Sequence, residues 1–280
     1  MTDLQRIIKY GALFLAFSII VGATFTIISG VDILFNVFDN KAKKLTNGKE
    51  IEITKDITKI ELDLKSTNLV IEKDKNLSAA TNNENISYRI RGNSLIITEK
   101  STSIFNNDTT TDLVIYIPEE HNLEELSLDA GAGKVELYDI SVQELELDLG
   151  AGNVEIDYVE VTKEATINGG AGNLVINNST IKDLELDMGI GTLELTSTLL
   201  GDNEISCGVG EVTINLLGDD YQIEVDKGIG TTTIAGEKIR DGEIYGEGRN
   251  KLEIDGGIGS INIDFYTETI QTQNNENIDY

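Results

Sequence analysis

The chain has 280 residues, with 49 acidic against 22 basic side chains, a formal net charge of −27 and 40% hydrophobic residues. A surface this acidic repels phosphate groups, which argues against nucleic acid and an anionic membrane surface as ligands of the folded part. The single cysteine, Cys207, leaves no partner for an intrachain disulfide. The single histidine, His121, cannot make a zinc site or a catalytic triad alone.

The chain begins with a candidate membrane anchor. Residues 10–31 form a run of 22 without a charged side chain, long enough to cross a hydrocarbon core of about 30 Å. Arg6 and Lys9 precede it, which favours a cytoplasmic N-terminus. We predict a cytoplasmic segment 1–9, a transmembrane helix 10–31, a juxtamembrane linker 32–44 and an extracellular C-terminal domain. A cleaved signal peptide is the alternative, although the apolar run is longer than usual and no small-x-small cleavage site follows it.

Residues 45–122 have short alternating or apolar runs separated by Asn, Asp and Thr, which predicts an irregular, β-rich N-terminal cap. The stretch 62–71 resembles a degenerate coil in which Ser-Thr-Asn stands in place of a glycine corner. Pro118, the only proline in the chain, follows a predicted strand and marks the boundary after which regular repeats begin.

Residues 123–264 carry seven Gly-x-Gly corners, whose first glycines are 19, 20, 19, 19, 20 and 29 residues apart. A fixed period near twenty is typical of a solenoid. The turn glycines are Gly131 and Gly133, Gly150 and Gly152, Gly170 and Gly172, Gly189 and Gly191, Gly208 and Gly210, Gly228 and Gly230, and Gly257 and Gly259.

Each corner is flanked by apolar and polar residues in alternation, as in Leu145 and Leu147 before a corner and Val154 and Ile156 after it. Period-two alternation predicts a strand with one buried face. The predicted fold is therefore an all-β, single-stranded β-solenoid of the parallel β-helix kind, with about 19–20 residues per coil. We expect the residue between the glycines to point into the core, the extra residues around 236–249 to protrude as a hairpin or loop, and residues 265–280 to be a polar, disordered tail.

An acidic column precedes the corners by two residues. If the coils stack in register, neighbouring side chains of the column lie about 4.8 Å apart, so their repulsion must be offset. One hypothesis is that each carboxylate accepts hydrogen bonds from the turn N–H groups; the other is a row of weak Ca²⁺ sites between coils. No other cofactor is predicted. The column consists of Asp129, Asp148, Asn168, Asp187, Ser206, Asp226 and Asp255.

No nucleophile with a base, paired acid or His/Cys metal set stands out, so we predict that the chain is not an enzyme. Polysaccharide-active enzymes also use parallel β-helices, and only the loop near Arg240 and Arg249 could serve such an activity here. Cys207, beside a corner glycine, is expected to be a small core residue.

Units such as Leu145-Glu-Leu147-Asp-Leu-Gly-Ala-Gly152-Asn153-Val154-Glu-Ile156, and the step Ile115-Tyr-Ile117-Pro118, resemble the bacterial putative-adhesin, domain-of-unknown-function β-strand-repeat family. The resemblance covers roughly residues 51–264 and implies a cell-envelope location, with a non-catalytic surface-binding or envelope-stress role toward an unknown ligand. Gly-Ala-Gly and Gly-Ile-Gly replace the Ser-Gly-Asp of many units. The rival hypothesis is a bactofilin-like scaffold that polymerises through its solenoid.

Overall fold

A computed structural model describes residues 48–53, 56–100 and 111–266, and in these ranges every regular element is a β-strand. No helix there is long and apolar enough to span a membrane. The predicted segments 1–9, 10–31 and 32–44 lie outside the described residues, as do residues 267–280 of the predicted tail. Phe265 and Tyr266, with which the predicted tail begins, are instead the last residues of a paired strand.

The strands join into one continuous sheet. In chain order they are β1 (Lys49–Ile51), β2 (Lys59–Leu64), β3 (Asn68–Asp74), β4 (Ser78–Thr81), β5 (Ile86–Arg91), β6 (Ser94–Glu99), β7 (Asp112–Pro118), β8 (Leu123–Tyr138), β9 (Ser141–Asp157), β10 (Glu160–Lys182), β11 (Leu184–Leu200), β12 (Asp202–Leu217), β13 (Tyr221–Asp226), β14 (Ile229–Ile234), β15 (Glu237–Lys238), β16 (Ile244–Tyr245) and β17 (Asn250–Tyr266).

Each of β8 to β12, and β17, is one coil: an arm before the glycine corner and an arm after it. Successive coils pair in parallel and in register, so that the second glycine of each corner lies beside that of the next, as Gly172 does with Gly152 and Gly191. The alternating apolar residues of both arms face inward and form one continuous core. The solenoid prediction is confirmed for the described residues.

The corners need glycine because they touch. A Cβ on Gly191 would lie 1.8 Å from the carbonyl oxygen of Gly172, and its φ of +152° is a conformation that residues with a side chain rarely adopt. The residue between the glycines does not enter the core, so that prediction is wrong. The bend turns it outward, while the preceding inward position is filled by residues such as Ala130 and Met188.

The coils do not stack in chain order throughout. β17 pairs with β12 on one side and with β13 and β14 on the other, so the last coil in sequence lies between the fifth and sixth corners. The chain bypasses it at Gly218, whose N–H donates to the Tyr266 carbonyl at 2.9 Å. The extra residues before β17 form β15 and β16, which pair antiparallel with β14 and β13. They form a C-terminal cap in which β14 and β15 make a hairpin, as one form of the prediction expects, and the pairing of β16 with β13 ties the rest of the insertion to the sheet edge.

Antiparallel strands also close the N-terminal end of the stack. β2 and β3 form the degenerate coil, as predicted, and both pair with β8. β6 and β7 stack outside that coil, and β5, β4 and β1 add antiparallel strands beyond them. β7 ends at Pro118 and β8 begins at Leu123, which agrees with the regular coils starting after this proline.

A buried carboxylate, Glu99, fills the corner of the degenerate coil. It accepts hydrogen bonds from the backbone N–H groups of Lys65 (2.7 Å), Ser66 (3.0 Å) and Thr67 (3.2 Å), and from the side-chain amide of Asn83 (3.0 Å). Burial alone would raise the pKa of Glu99, but the hydrogen bonds from Ser66, Lys65 and Thr67 outweigh it and hold the pKa below its usual value.

The corner stack predicts an unusually large effect of one methyl group. Gly191→Ala should lower the free energy of unfolding by about 3 kcal/mol or more, since the new Cβ meets backbone atoms and is strained at that φ. Gly236→Ala is the control: its φ is +76° with nothing within 4 Å of a Cβ, so we expect a loss of about 1–2 kcal/mol. Urea unfolding followed by far-UV circular dichroism measures both, and equal losses would contradict the close stacking.

Glu99 predicts an acid-sensitive contribution to stability. A carboxyl group whose pKa is lowered by folding contributes fully above its unfolded pKa, about 4.3, and loses that contribution as the pH falls through the folded pKa. Glu99→Gln should cost about 1–3 kcal/mol at neutral pH and flatten the acid decline of the melting temperature. Glu84→Gln, at an exposed position, is the control. Parallel pH profiles for the wild type and Glu99→Gln would show that the carboxylate contributes nothing.

Candidate binding surface

The outer side of the arms before the corners carries two parallel columns of acidic residues. Register pairing places the predicted Asp column two residues along the chain from a Glu column that sequence reasoning missed. We call the two columns together the acidic face. It consists of Glu61, Ser127, Glu146, Thr166, Glu185, Glu204, Glu253 and Glu224, and of Asp63, Asp129, Asp148, Asn168, Asp187, Ser206, Asp255 and Asp226.

Six of these positions are glutamate, six are aspartate and none is basic. The Glu column was readable from the repeats, where Glu stands between two apolar residues of the arm, as in Leu145-Glu146-Leu147. The importance of this column depends on the register, because only stacking brings isolated surface acids of different coils into one column. The negative potential of such a face exceeds that of scattered charges.

The repulsion within the Asp column is relieved in two places. The side-chain amide of Asn168 donates to Asp148 Oδ1 at 2.7 Å, and Lys65 pairs with Asp63. In the described residues, no turn N–H donates to a carboxylate of this column. The N–H of Ala132 donates instead to the Lys65 carbonyl of the neighbouring coil at 2.9 Å.

The column supplies one side chain per coil rather than a compact cage. Within the described ranges, no group of three or more His, Cys, Asp or Glu side chains is placed to hold a metal ion. The hypothesis of weak Ca²⁺ sites at the column stays a prediction.

Beside the acidic face, the residues between the glycines form a row along the corner edge that is exposed except at the half-buried Val209. The side chains become larger toward the C-terminal end, where Ile190, Ile258 and Ile229 are 37%, 52% and 74% exposed. Two small cavities behind the corners have volumes of about 30 and 20 Å³, room for about one water molecule each. The row consists of Ala132, Ala151, Ala171, Ile190, Val209, Ile258 and Ile229.

The arms after the corners have a different outer surface, with more neutral polar residues that bond along the stack. Thr192 donates to Asn173 at 2.7 Å, and Asn215 donates to Thr196 at 3.0 Å. These ladders occupy part of the hydrogen-bonding capacity of neighbouring coils. The acidic face is therefore the side with the greater excess of charge available to a partner.

The residues with potential for catalysis are either partly buried or held in contacts with the rest of the fold. Burial, and then Asp187, raise the pKa of the Cys207 thiol to about 12, so it is not a thiolate at neutral pH. His121 Nε2 lies 2.5 Å from the Ile57 carbonyl and supports the connection into β8. Arg249 pairs with Asp220 at 2.7 Å beside the C-terminal cap. The described residues thus offer no activated nucleophile at these positions.

The register and the outward columns define a β-solenoid of stacked Gly-x-Gly coils. The chain belongs to the Toastrack DUF4097 family, whose model matches residues 46–276. This confirms the resemblance to the putative-adhesin β-strand-repeat family. Among curated proteins, none matches the chain significantly.

A solved structure shares the fold, and others match the chain with lower TM-scores. A putative adhesin from Bacteroides fragilis is 15% identical with a TM-score of 0.54, and the match covers 79% of this chain and 98% of that one. A putative adhesin from Parabacteroides distasonis is 13% identical with a TM-score of 0.41, covering 79% and 96%. A putative cell adhesion protein from Clostridium sporogenes is 19% identical with a TM-score of 0.34, covering 79% and 100%.

The Asp column makes a salt-dependent prediction about stability. Asp129 lies between Asp63 and Asp148, and two charges about 4.8 Å apart repel by about 0.9 kcal/mol in water. Asp129→Asn should raise the free energy of unfolding by about 0.5–1 kcal/mol at low salt, and the gain should largely disappear at about 0.5 M NaCl.

Asp148→Asn is the matched control, because Asp148 already accepts a hydrogen bond from Asn168 and should gain less. Calorimetric melting at the two salt concentrations measures both variants. Two results together would contradict simple repulsion and indicate a cation site. Asp129→Asn would lose stability, and Ca²⁺ would raise the melting temperature of the wild type but not that of the variant.

Proposed function

We propose that this protein is a non-catalytic, surface-binding module of the cell envelope, anchored through residues 10–31, with its solenoid outside the cell. The acidic face carries the proposal, because it is a regular row of like charges that the fold itself does not need. Its natural partner is a basic polymer or basic protein segment, since a repeating negative surface attracts and orients repeating positive charge.

The family and the fold support a binding role. The Bacteroides fragilis structure with the same fold is described as a putative adhesin, which agrees with a surface that binds rather than reacts. The predicted anchor and its preceding Arg6 and Lys9 support the outward orientation.

The scaffold alternative finds less support. A bactofilin-like polymer grows by pairing terminal coils, whereas both ends of the described stack carry short antiparallel strands, β1 and β5 at one end and β15 and β16 at the other. Short, irregular edges disfavour end-to-end strand pairing. A polysaccharide-active enzyme is less consistent still, because Arg249 is paired within the C-terminal cap.

The orientation is tested by protease treatment of intact cells that express the full chain with a C-terminal epitope. Loss of the epitope before lysis is the expected result. Protection until lysis would place the solenoid inside the cell, and the surface-binding proposal would then be abandoned in favour of the scaffold.

The binding face is tested by two variants that each remove four negative charges, one from the acidic face and one from the arms after the corners. Glu146→Gln, Asp148→Asn, Glu185→Gln and Asp187→Asn together neutralise part of the acidic face; Glu136→Gln, Glu155→Gln, Glu194→Gln and Glu211→Gln remove four charges from the other arms. Binding of fluorescent poly-lysine to the full chain should weaken about ten-fold for the first variant and far less for the second. Equal weakening would show that only net charge matters.

A further inference from the structure

Two tyrosines from neighbouring coils lie together at the edge opposite the glycine corners. The ring centroids of Tyr138 and Tyr158 are 5.9 Å apart, with an interplanar angle of 75°. The residues are 48% and 54% exposed, so roughly half of each is open to solvent. This aromatic pair lies outside the acidic face and takes no part in the function proposed above.

Tyr158 occupies a backbone conformation that does not suit it. Asp139, Tyr158 and Asn178 hold equivalent places in three successive coils, with φ values of +51°, +54° and +48°. The N–H groups of Asp139 and Tyr158 donate to carbonyls of the next coil, those of Asp157 and Asn177, at 3.0 and 3.3 Å. Asp and Asn tolerate this left-handed region, whereas a bulky aromatic residue is an outlier there.

The fold does not explain the tyrosine. Its aromatic neighbour, Tyr138, is itself half exposed, so neither ring belongs to the buried core whose packing could offset the strained backbone. Strained residues that the core does not need tend to occur at binding sites. The observation therefore points to a ligand for the two rings.

The polar groups around the rings include both donors and acceptors. The Asn178 amide donates to Asp157 Oδ1 at 2.9 Å, and Lys73 pairs with Asp139 at 3.0 Å and with Glu119 at 3.2 Å. The Tyr138 hydroxyl is a neutral donor at physiological pH, as an ordinary tyrosine is, and burial followed by Asp157 raises its pKa further. A ligand with many hydroxyl groups, each both donor and acceptor, matches this rim.

We propose that Tyr138 and Tyr158 form a glycan-binding site that stacks a neutral sugar ring. The C–H face of a pyranose packs against the electron-rich face of an aromatic ring, and its hydroxyl groups reach Asp157 and Asn178. Nucleotides and acidic glycans are repelled by the surrounding carboxylates. A simple cation is a poorer match, because Lys73 and the Asn178 amide add donors to the rim.

The test uses the full chain in phosphatidylcholine nanodiscs, since glycosidic detergents would themselves carry sugar rings. Cellohexaose, chitohexaose and mannohexaose are titrated by calorimetry against the wild type, Tyr138→Thr and Tyr158→Asn. Thr and Asn occur in the corresponding columns of later coils, at Thr196 and Asn178. Tyr266→Asn, at a tyrosine 52% exposed elsewhere, is the control.

We expect at least one hexasaccharide to bind the wild type and the control, and to bind each site variant about ten-fold more weakly. Tyr158→Asn should at the same time raise the melting temperature by about 2–4 °C, because Asn suits the left-handed backbone. Loss of binding with gain of stability separates a binding role from a structural one.

Three results would overturn the proposal. No heat from any of the three hexasaccharides with the wild type is the first, and unchanged affinity in both site variants is the second. The third is binding of tetramethylammonium, abolished by the variants, in place of sugar binding, which would make the pair a cation site. Because these ligands are uncharged or monovalent, the outcome is independent of poly-lysine binding at the acidic face.

Discussion

The fold depends on the direct contact between successive glycine corners. Each second glycine lies against the backbone of the corner before it; a Cβ on Gly210 would be 1.7 Å from the Gly191 carbonyl oxygen. That contact fixes the register at one point per coil, and the strict alternation of the arms then carries the register outward. Inward and outward columns, and every surface feature built on them, follow from this single constraint.

Where the stack of glycine corners ends, other groups must supply hydrogen-bond partners for the backbone N–H and C=O groups. At the degenerate coil the carboxylate of Glu99 collects three backbone N–H groups that no glycine corner meets. At the other end, β15 and β16 cover the outermost coil with antiparallel pairs. The two solutions differ chemically, but each supplies hydrogen-bond partners where the parallel stacking of glycine corners stops.

In-register stacking also makes surface chemistry collective. A residue repeated once per coil becomes a ladder, so Asn and Thr repeats bond with each other along the stack, as Thr233 does with Asn262 at 2.9 Å. Glu and Asp repeats cannot bond with each other in this way and leave a negative face, interrupted by neutral residues at Ser127, Thr166, Asn168 and Ser206. Neutral ladders stabilise the solenoid, whereas charged rows oppose it. A charged row that persists over most of the stack therefore lowers the stability of the fold, and this cost is the reason that we propose a partner for it.

The period of the glycine corners predicts the coil and its strands. Successive corners touch through their backbones about every twenty residues, and only glycine allows so close a contact. The order of stacking could not be predicted in the same way. Coils with identical corners can exchange places without changing any local pattern, and only the longer spacing before Gly257 hinted at the rearrangement.

The Glu column could have been read beside the Asp column, since both follow the same alternation. The strained backbone of Tyr158 has no sequence signature, because it depends on register with Asp139 and Asn178, and so the aromatic pair becomes visible only once neighbouring coils are placed side by side.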